Sequence, residues 1–375
     1  MEEASLGGLS PRAFLRRHWQ KKPLLVRRAL PALRALTSRS ALFALAARGD
    51  VESRLVERGR GRWRVTEGPL ARAHLARAGR RDWTLLVNGV NLHCAAAESL
   101  LRRFAFVPQA RLDDLMVSYA APGGGVGPHF DSYDVFLVQG PGRRLWRLAR
   151  ARRFATLPGA PLRLIAGFVA EEEVLLEPGD LLYLPPGWGH DGIALEPCFT
   201  YSIGFRAPRG AELGAAFLDY LHERGLPDAT YRDPGLAPAA RPAQIGRELL
   251  SFAQAQLGRI RWRRGEVERF FGQYLSTPKP HVVFRAPRRP LARRAFERRL
   301  ARSGVLLDAR TQLLYRGPRF YLNGETLLPR PGARRALRAL GDRRQALGRA
   351  LARSALGDLI FEWYRRGYLH LERTQ

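Results

Sequence analysis

The chain carries His129-Phe130-Asp131 and, much further along, His190. Two imidazoles and one carboxylate are the ligand set of a non-haem iron site that keeps positions open for a co-substrate and dioxygen. On a strand, residues two apart point the same way, so His129 and Asp131 would share one face and Phe130 would take the other. His190 must then arrive from a neighbouring strand. It closes the run Glu177-Pro178-Gly179-Asp180-Leu181-Leu182-Tyr183-Leu184-Pro185-Pro186-Gly187-Trp188-Gly189-His190. That run reads as a turn, a buried apolar strand and a proline-stiffened corner that presents a histidine. An H-x-D pair alone turns up by chance in many proteins; joined to this corner it points to oxidation by iron and oxygen. Three protein ligands leave room for a bidentate 2-oxo acid beside the oxygen.

A 2-oxoglutarate site also needs a cation for the distal carboxylate, and the arginine fork matches a carboxylate well. In Arg143-Arg144-Leu145-Trp146-Arg147, alternation separates Arg144 and Trp146 from Arg143 and Arg147, without saying which pair looks inward. Asp134 reads either as an acceptor that orients a metal ligand or as a solvated turn residue. The glycine run from Gly123 to Gly127 lacks the Lys-Ser/Thr of a phosphate loop, and reads as backbone passing close to substrate. His18, His74, His93, His222, His281 and His370 have no partner at ligand spacing and read as structural.

Several elements must position these groups. Ser10-Pro11 predicts a helix start, with Ser10 as cap and Pro11 in the first turn. Pro23 to Val26 predicts a short strand, Ser38 to Ala47 a short helix, and Trp83 to Val87 a strand. Further strands are expected at Leu112 to Ala120, Val135 to Val138, Arg144 to Leu148, Val174 to Leu176, Leu181 to Leu184 and Phe199 to Phe205. Turns rich in Gly and Pro separate them, which argues for an antiparallel sandwich or barrel. After Arg206 the texture becomes helical, with Leu213, Phe217, Tyr220 and Leu221, then Ile245, Leu249, Phe252, Leu257 and Ile260, at helical spacing. An appended helical pair of this kind favours a dimer contact. Thr277-Pro278-Lys279-Pro280 reads as a linker. A basic helix is expected around Leu291 to Leu300, strands at Gln312 to Tyr315 and Arg319 to Leu322 with an Asn323-Gly324 turn, and helices at Arg334 to Ala352 and Leu356 to Arg366, the last ended by Gly367. Helices with a small hairpin suggest a winged-helix-like module.

The 375 residues suffice for two or three domains. Met1-Glu2-Glu3-Ala4-Ser5 has no basic segment leading into an apolar run, so no secretory leader is expected, and no apolar stretch approaches membrane-spanning length. Cys94 and Cys198 form no zinc framework; a reducing cytoplasm fits them and suits ferrous iron. The formal net charge is +29, and lysine stands only at Lys21, Lys22 and Lys279. This excess of arginine reads equally as a composition bias and as attraction to RNA or a ribonucleoprotein.

The residues also resemble a known family. Asp113-Asp114-Leu115-Met116-Val117-Ser118, the segment from Pro122 to Asp131, Tyr133-Asp134-Val135-Phe136, Gly142 to Arg147, Glu177 to Gly187, the segment from Tyr201 to Pro208, and His18-Trp19-Gln20-Lys21-Lys22-Pro23 are similar to the bacterial JmjC-type ribosomal oxygenases. The resemblance covers the catalytic half through motifs and the tail through length and layout. It implies an α+β chain: a double-stranded β-helix (a JmjC, cupin-like jelly roll) over residues 1–206, a helical dimerisation region over 207–276 and a winged-helix-like domain over 277–375. It implies iron(II) on His129, Asp131 and His190, with Arg144 holding 2-oxoglutarate. It implies a homodimer that hydroxylates the β-carbon of an arginine in large-subunit ribosomal protein L-sixteen. The target side chain would lie between Met116 and Tyr133, with Asp114 and Ser202 on its guanidinium; a planar cation between such walls with a carboxylate at its end is sound physics. Eukaryotic members act on histidine, so the acidic Asp114 favours arginine. The strong positive charge sits awkwardly with a basic substrate, so a locally acidic mouth is expected from Asp113, Asp114, Asp134 and Glu171-Glu172-Glu173.

Two rivals belong to other classes. One is a non-enzymatic RNA- or ribosome-binding protein whose barrel only stores a metal. The other is a cupin-like enzyme of small molecules, against which stands the aspartate at 131, where cupins usually place a second histidine.

Overall fold

The computed structural model describes residues 6–31, 33–59, 62–71, 73–74, 80–150, 155–352 and 356–372. Met1 to Ser5, read above for a leader, lie outside them. By compactness the chain forms two units, one of residues 1–207, 278–311 and 331–375, the other of 208–277 and 312–330. The stretch 277–375 contributes to both units.

Twelve strands build the first part: β1 (Leu24–Val26), β2 (Ser53–Gly59), β3 (Arg62–Glu67), β4 (Trp83–Val87), β5 (Leu112–Ala120), β6 (His129–Phe130), β7 (Val135–Gln139), β8 (Arg144–Arg150), β9 (Glu172–Leu176), β10 (Leu181–Leu184), β11 (Trp188–Ala194) and β12 (Cys198–Phe205). They form an antiparallel eight-stranded sheet, ordered β1-β10-β7-β12-β5-β4-β2-β3, and a four-stranded sheet, ordered β6-β11-β8-β9. Alternation decides which side chains meet. Val135 and Leu137 of β7 and Leu182 and Leu184 of β10 pack against Trp146 and Leu148 of β8 and Val174 and Leu176 of β9, so the two sheets close on a shared apolar interior. This is the antiparallel two-sheet architecture that the strand spacing implied, and the jelly roll that the resemblance implied.

The intervening residues serve a second core. Leu115, Val117, Tyr119, Phe136, Tyr183, Tyr201, Ile203 and Phe205 point to the other face of the large sheet. There they bury helices α1 (Pro11–Arg17), α2 (Arg39–Ala46) and α3 (Ala95–Arg102). Ser10 and Ser38 cap the first two by accepting from Ala13 N–H and Ala41 N–H. Phe14 is fully buried, with its ring edge-on to Tyr183; side chains of this size each contribute about 1.5–3 kcal/mol on burial. His18 stacks on Phe14 and bonds Pro23 O, the structural role read for it.

Beyond Ala207 the chain runs α4 (Gly210–Glu223), α5 (Arg247–Gly258), α6 (Arg264–Ser276), α7 (Arg293–Arg302), β13 (Gly304–Leu307), β14 (Leu313–Arg316), β15 (Arg319–Leu322), β16 (Glu325–Leu327), α8 (Pro331–Arg343), β17 (Gln345–Leu347), α9 (Gly348–Ala352), α10 (Gly357–Arg366) and β18 (Leu369–Leu371). The second unit sets α6 against the β14-β15-β16 sheet, where Tyr321 lies over Gly272 and its hydroxyl donates to Glu268 O. Asn323 and Gly324 both take positive φ, as the turn signal required.

The single helix expected from Arg334 to Ala352 is broken. Arg344 has a φ of 58°, and its buried guanidinium donates to Glu98 Oε1, Thr311 O and Asp308 O. Those bonds and the pairing of β17 with β13 outweigh continuation of the helix. No helix among the described residues is long and apolar enough to cross a membrane.

Candidate metal and co-substrate site

β6 is two residues long and lies at a sheet edge beside β11, in a register that sets His129 opposite His190. Asp131 stands just past the end of β6, and its carbonyl accepts the N–H of Gly187. The proline-rich corner is thereby tied to the first ligand pair. One ligand atom from each of His129, Asp131 and His190 lies within 4.8 Å of the others. His190 Nε2 is 3.8 Å from Asp131 Oδ2, and the two imidazole rings are 4.2 Å apart.

The tautomers follow from the neighbours. His129 Nδ1 lies 2.9 Å from Gly127 O, and His190 Nδ1 lies 2.9 Å from Trp188 O. A carbonyl only accepts, so each Nδ1 carries the hydrogen and each Nε2 presents a lone pair. Burial, then the neighbouring His129, push His190 well below its ordinary pKa and keep it neutral. Two neutral imidazoles and a carboxylate fit a divalent first-row ion such as iron(II).

The inward face of β8 resolves the choice among arginines. Arg144 and Trp146 are buried at 4% and 5% exposure, whereas Arg143 pairs with Glu196 and Arg147 with Glu173 and Asp191 on the outer face. Arg144 Nη1 donates to Ser118 Oγ at 3.3 Å, while Nε and Nη2 find no acceptor among the described residues. A buried donor without a partner costs about 1–3 kcal/mol, so a guanidinium left this way fits a carboxylate that completes it. Arg144 pairs with Ala194 and Leu148 with His190 in the β8–β11 register. About 13 Å of strand therefore separates the arginine from the metal ligands. An extended arginine side chain spans about half of that, and a short dicarboxylate spans the rest. The ring of Trp146 lies between, 5.8 Å from the Arg144 guanidinium and 5.8 Å from the His190 ring.

The candidate substrate residues gather on the adjoining part of the large sheet. Ser202 stands opposite Met116 on one side and Leu137 on the other, so both share the inward face with that interior leucine. Asp114 lies two residues before Met116 and accepts the Gly89 N–H through Oδ2. Its Oδ1 turns toward Gly204 and Tyr133: a Cβ on Gly204 would lie 3.8 Å from Oδ1 and 3.9 Å from Tyr133 Cε2. Tyr133 is 39% exposed. Burial and the carboxylates of Asp131 and Asp114 raise its phenol, which also hydrogen-bonds Asp131. Burial raises Asp114 above the ordinary carboxylate range, against the opposing pull of Lys279.

Three expectations change. Asp134 is neither a metal orienter nor a solvated turn residue: it is fully buried, and accepts from Tyr183 Oη at 2.6 Å, Gln20 Nε2 at 2.9 Å and Arg111 Nη2 at 3.5 Å. It thus pins the segment after α1 to the large sheet and adds nothing to a surface field. The glycine run packs on protein: a Cβ on Gly124 would come within 2.1 Å of Trp83 O and one on Gly125 within 2.5 Å of Gly192 O, while Gly123 and Gly127 lie against the side chains of Asp82 and of Leu164 and Trp63. The acidic mouth narrows as well. Glu171 accepts the Arg150 N–H and Glu173 pairs with Arg147. Glu172 stands in the cross-strand row of Leu148 and His190, about 10 Å from the latter's backbone. Ser118 and Lys279 were missed as site residues. Ser118 was detectable, since it shares the parity of Asp114 and Met116; Lys279 was not, because a linker lysine has no periodicity.

Comparison with known proteins places this geometry. Residues 99–213 match the JmjC domain family and residues 259–370 the ROXA-like winged helix. The chain is 37% identical over 317 residues to the ribosomal protein uL16 3-hydroxylase of Escherichia coli, covering 84% of both chains. It is 37% identical over 210 residues to a probable ribosomal oxygenase of Haemophilus influenzae, covering 55% of this chain and 52% of that one. The structure of the ribosomal oxygenase YcfD from Escherichia coli in complex with cobalt and 2-oxoglutarate is similar with a TM-score of 0.81, at 34% identity, over 99% of this chain and 100% of that one.

Proposed function

Because the chain belongs to the JmjC ribosomal oxygenases, we propose that it is an iron(II)- and 2-oxoglutarate-dependent protein hydroxylase acting on the β-carbon of an arginine in ribosomal protein uL16, the large-subunit protein L-sixteen. The observation that carries this is the pairing of a two-histidine, one-aspartate cluster with a buried guanidinium whose Nε and Nη2 find no acceptor among the described residues. When bound, the metal and co-substrate supply the oxidising power: one oxygen atom of dioxygen enters the substrate C–H bond, and the other enters succinate as carbon dioxide leaves.

The protein's own groups do the rest. His129, Asp131 and His190 would hold the ion, and the Nδ1 hydrogen bonds fix the ring planes. Arg144 and Ser118 bind the distal carboxylate, and Trp146 walls the space between. Met116 and Tyr133 flank the target side chain, while Asp114 and Ser202 receive its guanidinium. A charge-assisted contact from Asp114 selects a cationic side chain over a neutral one. The apolar interior lined by Leu137, Leu148 and Leu184 excludes water from the reacting carbon.

Homodimerisation fits the second unit: α5 buries none of its side chains, and Leu218, Ile245 and Leu257 are 63%, 75% and 68% exposed. Such a row is covered when two copies meet. Light scattering should give twice the chain mass, and Leu257→Asp should reduce it. The substrate class and the two free cysteines support a cytoplasmic setting. The +29 charge supports a contact with ribosomal RNA, which rising salt would weaken.

The deciding experiment incubates purified protein with iron(II), 2-oxoglutarate and oxygen, with and without a uL16 peptide. Peptide-dependent succinate formation, with a peptide gain of one oxygen mass on arginine, is expected. A protein that binds metal yet never decarboxylates 2-oxoglutarate would instead be the metal-storing, ribosome-binding rival.

A further inference from the structure

Lys279 lies in the proline-flanked segment after α6, outside the jelly roll in sequence. Its Nζ is 3.1 Å from Asp113 Oδ1, and its charge acts on Asp114 as well. Arg206 Nε reaches the same Asp113 oxygen at 3.4 Å. Asp114 keeps one oxygen on the Gly89 N–H and turns the other toward Tyr133. Two cations thus meet at Asp113, and of these Lys279 also acts on Asp114, beside the candidate substrate site.

The choice of lysine is informative. Arginine supplies nearly every positive charge in this chain, and lysine stands at three positions. Arginine would grip a carboxylate through two parallel bonds; an ammonium is a point charge on a flexible stem, and leaves more easily. Lys279 is still 38% exposed, so water can take it up when it lets go. Pro278 and Pro280 restrict the backbone on either side, which keeps the ammonium within reach of the pair.

We propose that Lys279 is a tethered competitor for the substrate cation: it holds the Asp113–Asp114 pair neutralised until an arginine of the substrate displaces it. The inference rests on Asp114 being the guanidinium acceptor. It makes Lys279 a specificity-determining residue, because a side chain that cannot replace the ammonium gains nothing by entering.

The test measures binding of two uL16 peptides to the full-length protein with iron(II) and 2-oxoglutarate in the absence of oxygen, so that no turnover occurs. One peptide carries the target arginine and the other carries neutral citrulline in its place. Lys279→Ala should tighten the arginine peptide by up to about fivefold, the scale of a partly exposed ion pair, and leave the citrulline peptide unchanged. Lys279→Arg, which a purely structural cation site would tolerate, should weaken the arginine peptide. Lys279→Met keeps the aliphatic stem and carries the alanine expectation should Lys279→Ala fail to fold. Unchanged or weaker arginine-peptide binding in Lys279→Ala, or equal changes for both peptides, overturns the proposal. Asp114→Asn separates the two readings. If it leaves arginine-peptide binding intact, the substrate-site reading itself falls; if it weakens binding while the lysine variants do nothing, only the tethered competitor falls.

Discussion

His129 and His190 face each other in register across β6 and β11, and each turns Nδ1 to the carbonyl two residues before it. Two strands of opposite direction thus solve one problem in one way: backbone that is already in place orients both rings. Ring orientation should persist whether or not a metal is bound, because neither bond depends on it.

His129→Ala and Asp131→Ala should each abolish peptide-dependent succinate formation while circular dichroism stays that of the parent. Both side chains are only partly buried, so little packing is lost. Turnover equal to the parent in either variant would reject the ligand assignment.

Arg144→Ala should act mainly on the co-substrate. A hydrogen bond to a charged group is worth about 1.5–3 kcal/mol, so the KM for 2-oxoglutarate should rise roughly ten- to a hundredfold. The melting temperature should hold, since the substitution removes a buried cation with unmet donors. A co-substrate titration that overlays the parent's would remove Arg144 from the site.

Gly125→Ala should loosen the metal centre indirectly. Its Cβ would collide with Gly192 O on β11, two residues beyond His190. Relief requires a backbone shift costing about 1–3 kcal/mol, and it moves the strand that carries a ligand. Lower thermal stability together with weaker cobalt binding is expected; a variant with parental values for both would show that β11 is not held there.

His93 should make stability fall in mild acid. Burial, aided by Arg48 and Arg310, lowers its folded pKa from 6.5 to about 4. The unfolded chain therefore binds a proton that the folded chain refuses between those values. This contribution is fully present above pH 6.5, and declines as pH drops toward 4. Urea unfolding across that range should be less pH-dependent in His93→Asn, and an unaltered slope would assign the acid sensitivity to other groups.

What the sequence revealed follows the strength of local signals. The metal ligands were legible because iron restricts residue type and spacing together, and β5, β7, β10 and β12 because both faces are buried and their apolar runs are dense. The hairpin of β2 and β3 was not read. Arg54, Glu57, Arg62 and Arg64 break its apolar rhythm, and β3 lies at the sheet edge where charge is tolerated. The break at Arg344 escaped because its causes, Glu98 and the carbonyls of Asp308 and Thr311, are distant in sequence. Asp134 escaped for the same reason: Gln20, Arg111 and Tyr183 meet only in the fold. Parity also split Arg143 and Arg147 from Arg144, but only the apolar interior showed which side was inner.

The incompletely bonded guanidinium of Arg144 bears on how long each molecule survives as well as on its reaction. A metabolite that answers those donors binds the folded chain alone, and at a hundred times its dissociation constant it adds about 2.7 kcal/mol of resistance to unfolding. Proteases reach such a chain through its opened forms, so filling the site would also lengthen the life of the folded chain.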